Sequence, residues 1–306
     1  MANCFSNGGN TRVTLLPQLV FGTVPAQGVG STSILPFVSI DPAAVRATID
    51  DQSLTGNREE TSIRIGAEST TLSLEVAHRH SQYDLLVENA LFGDWTSDVL
   101  EVDSSDHPLT IYVEQLDNSV TRRYQDLLVD TMTLDAQLDS GVTLSFGMIG
   151  TAQTLDANAD TTPTPVVSGA VNFVHFDGSV SFAGGAIGYV TGINVSLSNS
   201  LEPVNVWGQK DAACVGVGRS VVDITLTCQF PSDQMLTAWD DETEAEFEFT
   251  LNDLAAGKGE TWEFSRCRVL DVSIPVSSSG QVIQTVQIRA LRNTVAGQSA
   301  IKITRF

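Results

Sequence analysis

The sequence predicts a mainly β protein made of two similar domains in tandem, each a β-sandwich or rolled sheet with one short α-helix. Three observations support this prediction. Apolar and polar residues alternate in many short segments, as in half-buried strands. Apolar residues at helical spacing occur in only two short segments. The order strand, helix, strand, hairpin occurs twice along the 306 residues, a length that favours two domains.

The first copy begins with a strand and a helix. Leu72, Leu74 and Val76 alternate with polar residues in "GAESTTLSLEVAHRH" and predict a half-buried strand. The next segment, "HSQYDLLVENALFGDW", predicts a helix with Ser81 as its N-cap and Gly93 at its C-terminal cap. The apolar residues at helical spacing are Tyr83, Leu86, Val87, Ala90 and Leu91.

The second copy repeats this order in "GVGRSVVDITLTCQFPSDQMLTAWDDE". Its strand residues Val222, Ile224 and Leu226 follow those of the first copy by 150 positions (222 − 72). Asp233 or Ser232 can cap the helix that follows. Met235, Ala238 and Trp239 correspond to Tyr83, Leu86 and Val87 with a further shift of two residues. The same strand and helix are therefore expected in both copies.

Each copy continues with a strand and a hairpin. The strands are "LTIYVEQ" (109–115) and "AEFEFTL" (245–251). The hairpins are "MTLDAQLDSGVTLSFGMIG" and "VSIPVSSSGQVIQTVQIRA", with turns predicted at "DSG" and "SSG". Met132 and Val272 begin the matching runs, 140 positions apart (272 − 132). The copies are thus β-rich units of comparable length.

A linker is predicted between the copies at 151–170, "TAQTLDANADTTPTPVVSGA", which lacks apolar periodicity. A new hairpin, 172–182, is expected directly afterwards with its turn at Asp177 and Gly178. These features predict a first domain with an N-terminal arm at 1–160 and a second at 161–306.

Composition limits the function. The chain has 16 Lys and Arg against 37 Asp and Glu, a net charge of −21, and division at residue 150 leaves −13 and −8. Nucleic-acid and anionic-membrane binders need clustered cations, so neither kind of binding is expected. The weakly polar run at 182–197 is too short to span a bilayer. No export sequence is recognised, and the four cysteines, without a CxxC pair, are expected to be reduced.

No catalytic, cofactor or metal site is predicted. His78 and His80 share one face of a strand, but packing or edge positions are favoured over metal binding. Asp156, Asn158 and Asp160 resemble the start of a calcium loop, yet Thr161 and Val167 replace its Gly and Glu. The "GVG" at 216–218 precedes a strand, and no nucleophile elbow is present. An enzyme is therefore not expected.

An acidic strand is the candidate functional surface. Glu244, Glu246 and Glu248 alternate with Ala245, Phe247 and Phe249, so the carboxylates share the face opposite the core. Charge that keeps an exposed strand soluble would explain this pattern. The alternative is an acidic wall facing a polyanion. The candidate wall residues are Glu244, Glu246, Glu248, Glu114, Asp135 and Asp139.

The chain resembles the tail tube proteins of long-tailed bacteriophages, in particular the type with two tube domains in tandem. The resemblance lies in the opening "LLPQLVFGTVPAQ", in the strand and helix ending "YDLLVENALFGDW", and in the duplication. It covers nearly the whole chain. The sequence departs from the family in two enlarged loops, "NDLAAGKGE" and "TSDVLEVDSSDHP".

The resemblance implies a structural virion protein that polymerises as stacked rings into a tail tube, the channel for DNA ejection. Sheets of neighbouring subunits would join into one barrel, and two domains per chain imply homotrimer rings where single-domain tubes use six chains. Expected partners are other copies of the chain, a tape-measure protein, a tail terminator and distal tail or baseplate proteins. DNA would pass without specific binding. Assembly is expected in the host bacterial cytoplasm, through the arm at 2–31 and the enlarged loops.

Two other classes remain open. A secreted or surface adhesin or carbohydrate-binding protein with two sandwiches would need an export sequence and an aromatic platform. The tryptophans at 95, 207, 239 and 262 are dispersed instead. A decoration or fibre protein of the virion is the other alternative, and composition alone does not exclude it.

Overall fold

The chain is described by a computed structural model. It describes residues 8–25, 32–51, 59, 62–155, 163–164, 172–174, 178–229, 233–253, 257–276, 281–293 and 299–306. Most of these residues lie in β-strands, and the only helices in the described part are two short α-helices and one 3-10 turn, Gly8–Asn10. The prediction of a mainly β protein is confirmed. Among the described residues, no helix is long and apolar enough to cross a membrane.

The first half of the chain contains nine strands and the longer helix, α1 (Asp84–Leu91), among its described residues. The strands are β1 (Thr11–Pro17), β2 (Ser33–Ile34), β3 (Ser39–Asp50), β4 (Ile63–Ala77), β5 (Val99–Glu101), β6 (Leu109–Gln115), β7 (Val120–Gln137), β8 (Thr143–Gly150) and β9 (Ala152–Leu155). Alternating burial in β4 and β8 confirms the period-two prediction for these segments.

The second half contains ten described strands and α2 (Gln234–Asp240). The strands are β10 (Ser179–Phe182), β11 (Gly185–Ala186), β12 (Val190–Ser198), β13 (Glu202–Val204), β14 (Cys214–Gly216), β15 (Val221–Gln229), β16 (Glu244–Asp253), β17 (Lys258–Ser273), β18 (Ile283–Ala290) and β19 (Lys302–Arg305). β13 and β14 form a separate two-stranded sheet, and the other strands are hydrogen-bonded into one large sheet.

Eight strands, four from each half, form the continuous part of this sheet in the order β3-β4-β8-β7-β12-β15-β18-β17. We call it the eight-strand sheet. The N-terminal parts of β7 and β17 extend beyond it and pair with β6 and β16, which in turn pair with β1 and β10. These shorter strands fold over the eight-strand sheet, and one hydrophobic core lies between the two layers.

The strand order of the first half recurs in the second. The order β3-β4-β8-β7-β6-β1 has its counterpart in β12-β15-β18-β17-β16-β10. A register shift lies between Val129 and Thr131 in β7 and between Val269 and Asp271 in β17. A β-bulge adds one unpaired residue to a ladder, so bulges at matching places are a specific likeness between the two halves.

Strand pairing corrects one offset. Met148 of β8 faces Leu72, and its counterpart Ile288 of β18 faces Ile224. The first copy's strand therefore matches the second at 152 positions (224 − 72) and not at the predicted 150. The helices share this offset, so the apparent shift of two residues between strand and helix disappears. Phe230, and not Cys228, is the counterpart of His78.

The α1 caps differ from the prediction. The helix begins at Asp84 with Tyr83 as N-cap, and Ser81 has a positive φ of 55° outside it. Phe92 adopts the left-handed cap conformation that was predicted near Gly93. Gly93 is required for another reason, because a Cβ there would overlap the carbonyl oxygen of Glu101. Asp233 is the N-cap of α2, as predicted, and Ser232 lies outside the described residues.

The predicted linker and the hairpin after it also differ. Ala152–Leu155 forms β9 against β7, so regular structure continues into the segment predicted as linker. Asn172 and Val174 form bridges to Arg79 and Gly141 instead of pairing with β10. β10 turns into β11 through Ala183 and Gly184, both at positive φ as a tight primed turn requires. Asp177, Ser279 and 156–162 lie outside the described residues.

Candidate assembly and channel surfaces

The eight-strand sheet has one apolar and one polar face. Its apolar face packs in the core through residues such as Leu72, Leu134 and Ile224. On the other face, polar side chains are opposite each other across the strands, for example Thr133 with Ser145 and Ser196. The charged residues that face one another on this polar face are Asp41, Glu75, Asp135, Asp223, Asp271, Arg268 and Arg289. Five carboxylates and two guanidiniums leave three formal negative charges.

Asp135 lies near the middle of the polar face. Its Oδ1 accepts hydrogen bonds from Nε2 of Gln137 at 2.9 Å and from Nδ2 of Asn194 at 3.1 Å. Both donors are neutral amides, so neither offsets the formal negative charge of Asp135. Asp223 differs, because both its oxygens are held by Arg289 at 2.7 and 3.0 Å. The remaining carboxylates therefore dominate the potential of this face.

Two of the three β16 glutamates, Glu246 and Glu248, lie on a different surface, whereas Glu244 faces Arg268 of β17 at the junction of the two layers. Phe247 and Phe249 are buried in the core, so Glu246 and Glu248 point away from it, as predicted. Because β16 belongs to the layer that covers the eight-strand sheet, its outward face and the polar face lie on opposite sides of the core. The structure does not bring Glu246 and Glu248 together with Asp135.

The three glutamates of β16 differ in their surroundings. The Nε of Arg266 lies 2.6 Å from Oε2 of Glu244 and lowers the pKa of that carboxyl. Burial raises the pKa of Glu248, and the nearby carboxylates of Glu263 and Glu246 raise it further. Only Glu246 is both exposed and without an ion pair among the described residues. The triplet is therefore less uniformly acidic than its spacing suggested.

Two further candidates stand apart. Glu114 is 3% exposed and is paired with Arg12 at 2.5 Å, so it presents no free carboxylate to solvent. Asp139 is exposed in the turn between β7 and β8 at a positive φ of 62°. It lies at the end of the strand that carries Asp135. Of the six candidates, Asp135 and Asp139 alone belong to the eight-strand sheet or its turns.

The two halves are joined by strand pairing between β7 and β12. Thr131 to Gln137 face Ser198 to Gly192 in antiparallel register. We call this pairing the internal joint. The N–H of Asn199 donates to the carbonyl of Asp130 at 2.8 Å. Because the backbone groups of a strand point alternately to its two neighbours, every second residue before Asn199 also directs its N–H and C=O towards β7. The internal joint makes one sheet from two four-stranded parts.

Within the described part of the chain, both ends of the eight-strand sheet are open. β3 pairs with β4 on one side only, and the last part of β17 pairs with β18 on one side only. Val45 and Ile49 of β3 are 60% and 59% exposed, and Val276 beyond β17 is 79% exposed. Pro42 lies in β3 and Pro275 just after β17, and proline is confined to such edges. Unpaired apolar edges of this kind favour pairing with another strand.

A buried polar cluster forms a second contact between the halves. His78 Nε2 lies 2.9 Å from Oε2 of Glu260, and the two side chains are 3% and 4% exposed. Arg305 lies 3.8 Å from Glu260, forms an ion pair with Asp84 and stacks over the ring of Trp95. Burial raises the pKa of Glu260, but His78 and Arg305 lower it more, so that its pKa lies below its ordinary value.

His78 is therefore a packed residue that links the halves, in agreement with the preferred prediction. It also contacts the rings of Phe173 and Trp262. The enlarged loop at 96–108 contributes to the same contact, because it contains β5, which pairs with β19. The N-terminal segment predicted as an arm contains β1, whose Val13 and Leu15 are buried in the core. Thr11–Pro17 is thus an internal strand and not a free arm.

The hairpin of β13 and β14 packs on the first half. Leu201 and Val215 form a small apolar cluster with Phe92 and Leu128. Asn199 Nδ2 donates to the carbonyls of Ala90 and Val129, both at 2.9 Å. At the hairpin tip, Lys210 Nζ lies 2.8 Å from the buried carboxylate of Glu68. No feature of the sequence predicted this contact, because it depends on how the halves join.

Comparison with known proteins supports one family. A family model described as phage tail tube protein matches residues 8–290. No curated protein matches the chain significantly. The match covers the eight-strand sheet and the internal joint, and β19 lies beyond the matched residues.

Proposed function

The chain belongs to the phage tail tube protein family and is a structural protein of the virion tail, and from that premise we propose that it polymerises as stacked rings around a channel for DNA. Two tube domains in tandem form each subunit. The recurrent strand order and the matching bulges of β7 and β17 support this duplication. The family also supports self-assembly over enzymatic activity.

The internal joint is the observation that carries the proposal. It shows how the end of one half's sheet pairs with the beginning of the next. The same two elements, β17 and β3, are the open ends of the chain. When β17 of one subunit pairs with β3 of the next, every joint in the ring has the same geometry and no sheet edge remains.

Equivalence of the strands gives the register between subunits. Val195 of β12 faces Leu134 of β7, and Leu197 faces Met132. The counterparts of β12 residues in β3 are Pro42 and Ala44, because these face Leu72 and Thr70 as Val195 and Leu197 face Ile224 and Val222. The proposed pairs are therefore Pro42 with Ile274 and Ala44 with Val272.

Rings of three subunits are the expected result. Two domains in each of three chains supply six similar positions, and a closed ring uses the same heterologous contact throughout. Native mass spectrometry or light scattering of isolated rings should give three times the subunit mass of 32.7 kDa. A ring of six chains would contradict the trimer while leaving the tube function intact.

The polar face of the eight-strand sheet is the proposed channel wall. Hydroxyl and amide side chains with net negative charge offer DNA no cluster of cations, so the duplex would pass without specific binding. On this proposal, Asp135 lines the channel with Glu75 and Asp271, while Asp139 lies at its margin. The outward-pointing glutamates of β16, predicted as wall residues from the sequence, then lie on the outer surface.

Charge reversal on each surface tests this assignment. The channel triple Glu75→Lys, Asp135→Lys, Asp271→Lys and the matched triple Glu244→Lys, Glu246→Lys, Glu248→Lys change the charge equally. We expect particles with the channel triple to eject DNA several-fold more slowly, because lysines bind phosphate. The delay should shrink with added salt, which shortens screening to roughly 10 Å or less.

DNA ejection is followed by fluorescence of released DNA from particles whose tubes are intact by electron microscopy. Normal ejection with the channel triple, combined with slow ejection by the β16 triple, would place the channel on the opposite surface and restore the prediction made from sequence. The tape-measure protein, terminator and distal tail proteins are proposed to contact the stacked rings at their inner surface and ends.

A further inference from the structure

We propose that the outer part of the β3–β4 hairpin docks on the second half of the neighbouring subunit, as the β13–β14 hairpin docks on the first half of its own chain. The inference rests on the proposed ring assembly and identifies a further contact surface in it. The occupant of this surface is a second copy of this chain. It adds a side-chain contact to the backbone pairing of β3 with β17.

Register shows that the two hairpins are equivalent. In the docked hairpin, Glu202 faces Gly216 and Pro203 faces Val215. At the offsets established for the preceding strands, the corresponding pairs in the outer part of β3–β4 are Ile49 with Arg64 and Asp50 with Ile63. Both pairs are present. The β13–β14 hairpin is therefore the second half's version of this outer part.

One face of the docked hairpin is buried and the other is exposed to solvent. Val215 is 8% exposed, whereas Glu202, whose side chain points to the other face, is exposed. The counterpart of Val215 is Ile63, which is 58% exposed in the single chain. A large apolar residue is thus exposed at the position that the equivalent hairpin buries. The counterpart of Glu202 is Ile49, on the opposite face.

The receiving surface on the second half is open in the corresponding way. On the second half, Trp239 is 46% exposed and Leu270 is 43% exposed. A groove of about 1200 Å³ lies at the ends of β15 and β18, and residues of the segment 94–104 line its other side. Ser220 and Arg289 line it. Their counterparts in the first half are Glu68 and Ile149, which contact the β13–β14 hairpin or its cluster.

The two docking contacts differ in charge. Asn199 fixes the docked hairpin by donating hydrogen bonds from its side-chain amide to two carbonyls of the first half. The counterpart of Asn199 in β3 is Arg46. The carbonyl of Ala90 corresponds to that of Glu242, and Phe92 corresponds to Glu244. Arg46, whose guanidinium pairs with Glu68 in the single chain, would therefore lie near the carboxylates of Glu242 and Glu244 on the next subunit, which pair there with Arg268 and Arg266. This contact is charge-complementary, with an aliphatic stem that also covers apolar surface.

Photo-cross-linking in assembled tubes tests the inference. A photoreactive phenylalanine analogue replaces Ile63, and the matched control carries it at Ile49 on the opposite face of the same hairpin. Mixing isotopically labelled and unlabelled subunits separates cross-links between chains from those within one chain. Mass spectrometry should locate Ile63 cross-links in 219–222, 268–270 or 289–292 of another chain, at least tenfold above the Ile49 control.

The outcomes are distinguishable from failure of the proposed function. If wild-type protein forms no rings or tubes by electron microscopy, the assembly itself is wrong. If tubes form but Ile63 is linked within its own chain, to other regions, or no more than Ile49, the docking inference is wrong and the tube function stands. Cross-links to the named segments of another chain support the docking.

Discussion

Ala44→Pro is expected to abolish ring and tube formation while leaving the subunit folded. By equivalence with Leu197 in the internal joint, Ala44 directs its N–H away from β4, to the side where we propose that β17 of the next subunit lies. Proline removes that donor and leaves the facing carbonyl unsatisfied. A lost donor costs about 1–3 kcal/mol, which corresponds to roughly 5- to 150-fold in the affinity of each joint.

Ala43→Pro is the matched control, because the adjacent residue directs its N–H towards β4 inside the chain. We expect this variant to lower the melting temperature of the subunit by several degrees. Ala44→Pro should change it by less than about 2 °C, since proline is tolerated at a free edge. Sedimentation and electron microscopy measure assembly. Tubes of normal length from Ala44→Pro would contradict the β3–β17 pairing.

The local structure of this chain follows from its sequence because it depends on neighbouring residues. Alternation predicted β4, β6, β8 and β16, and helical spacing predicted α1 and α2. Caps were less certain, since Ser81 had the right chemistry but lies before a tight turn at positive φ. β9 was missed because its four residues carry no apolar alternation, and its pairing with β7 supplies the order.

The candidate surface was predicted only in part for a related reason. Alternation shows which residues of a strand share a face, but not on which side of the molecule that face lies. Glu246 and Asp135 both point away from the core, yet their strands belong to different layers. Glu114 also points away from apolar neighbours in sequence, but Arg12 of β1 covers it. These relations depend on strand order, which single-strand patterns do not contain.

The joints of the sheet link fold to assembly. β7 and β17 are the longest strands, and each uses its N-terminal part for the covering layer and its C-terminal part for the eight-strand sheet. A register shift in the pairing with the covering layer, between Tyr124 and Leu127 of β7 and between Phe264 and Cys267 of β17, divides the two parts and bends the strand. Within the chain, β7 ends against β12. Among the described residues, no strand lies beside the same end of β17, and this is where we propose that another subunit completes the joint.

Glu260→Leu is expected to destabilise the subunit by about 3–5 kcal/mol, the usual effect of removing one partner from a buried ion pair. Glu260 is the carboxylate that His78 and Arg305 share between the halves. Without it, two polar side chains that are 3% and 9% exposed lose that partner in a protein interior. Because the cluster ties β4 to β17 and β19, this loss should also reduce the yield of rings.

Glu263→Leu is the matched control on the same strand. Its ion pair with Lys302 is 2.7 Å long, but the two side chains are 28% and 38% exposed, and such pairs contribute about 1 kcal/mol or less. Urea unfolding of both variants at pH 7 compares the two sites under identical conditions. Equal destabilisation by the two substitutions would show that burial of the Glu260 cluster does not determine its contribution.

The contribution of Glu260 is also expected to depend on pH in one direction. Its folded-state pKa lies below the ordinary value of 4.5, so the stabilisation is present above that value and is lost as pH falls through the folded pKa. Glu260→Gln retains the shape and a hydrogen bond to His78 but cannot ionise. The difference in unfolding free energy between wild type and Glu260→Gln should therefore be largest near pH 7 and shrink below about pH 4. A difference that stays constant or grows on acidification would show that the charge of Glu260 does not stabilise the contact between the halves.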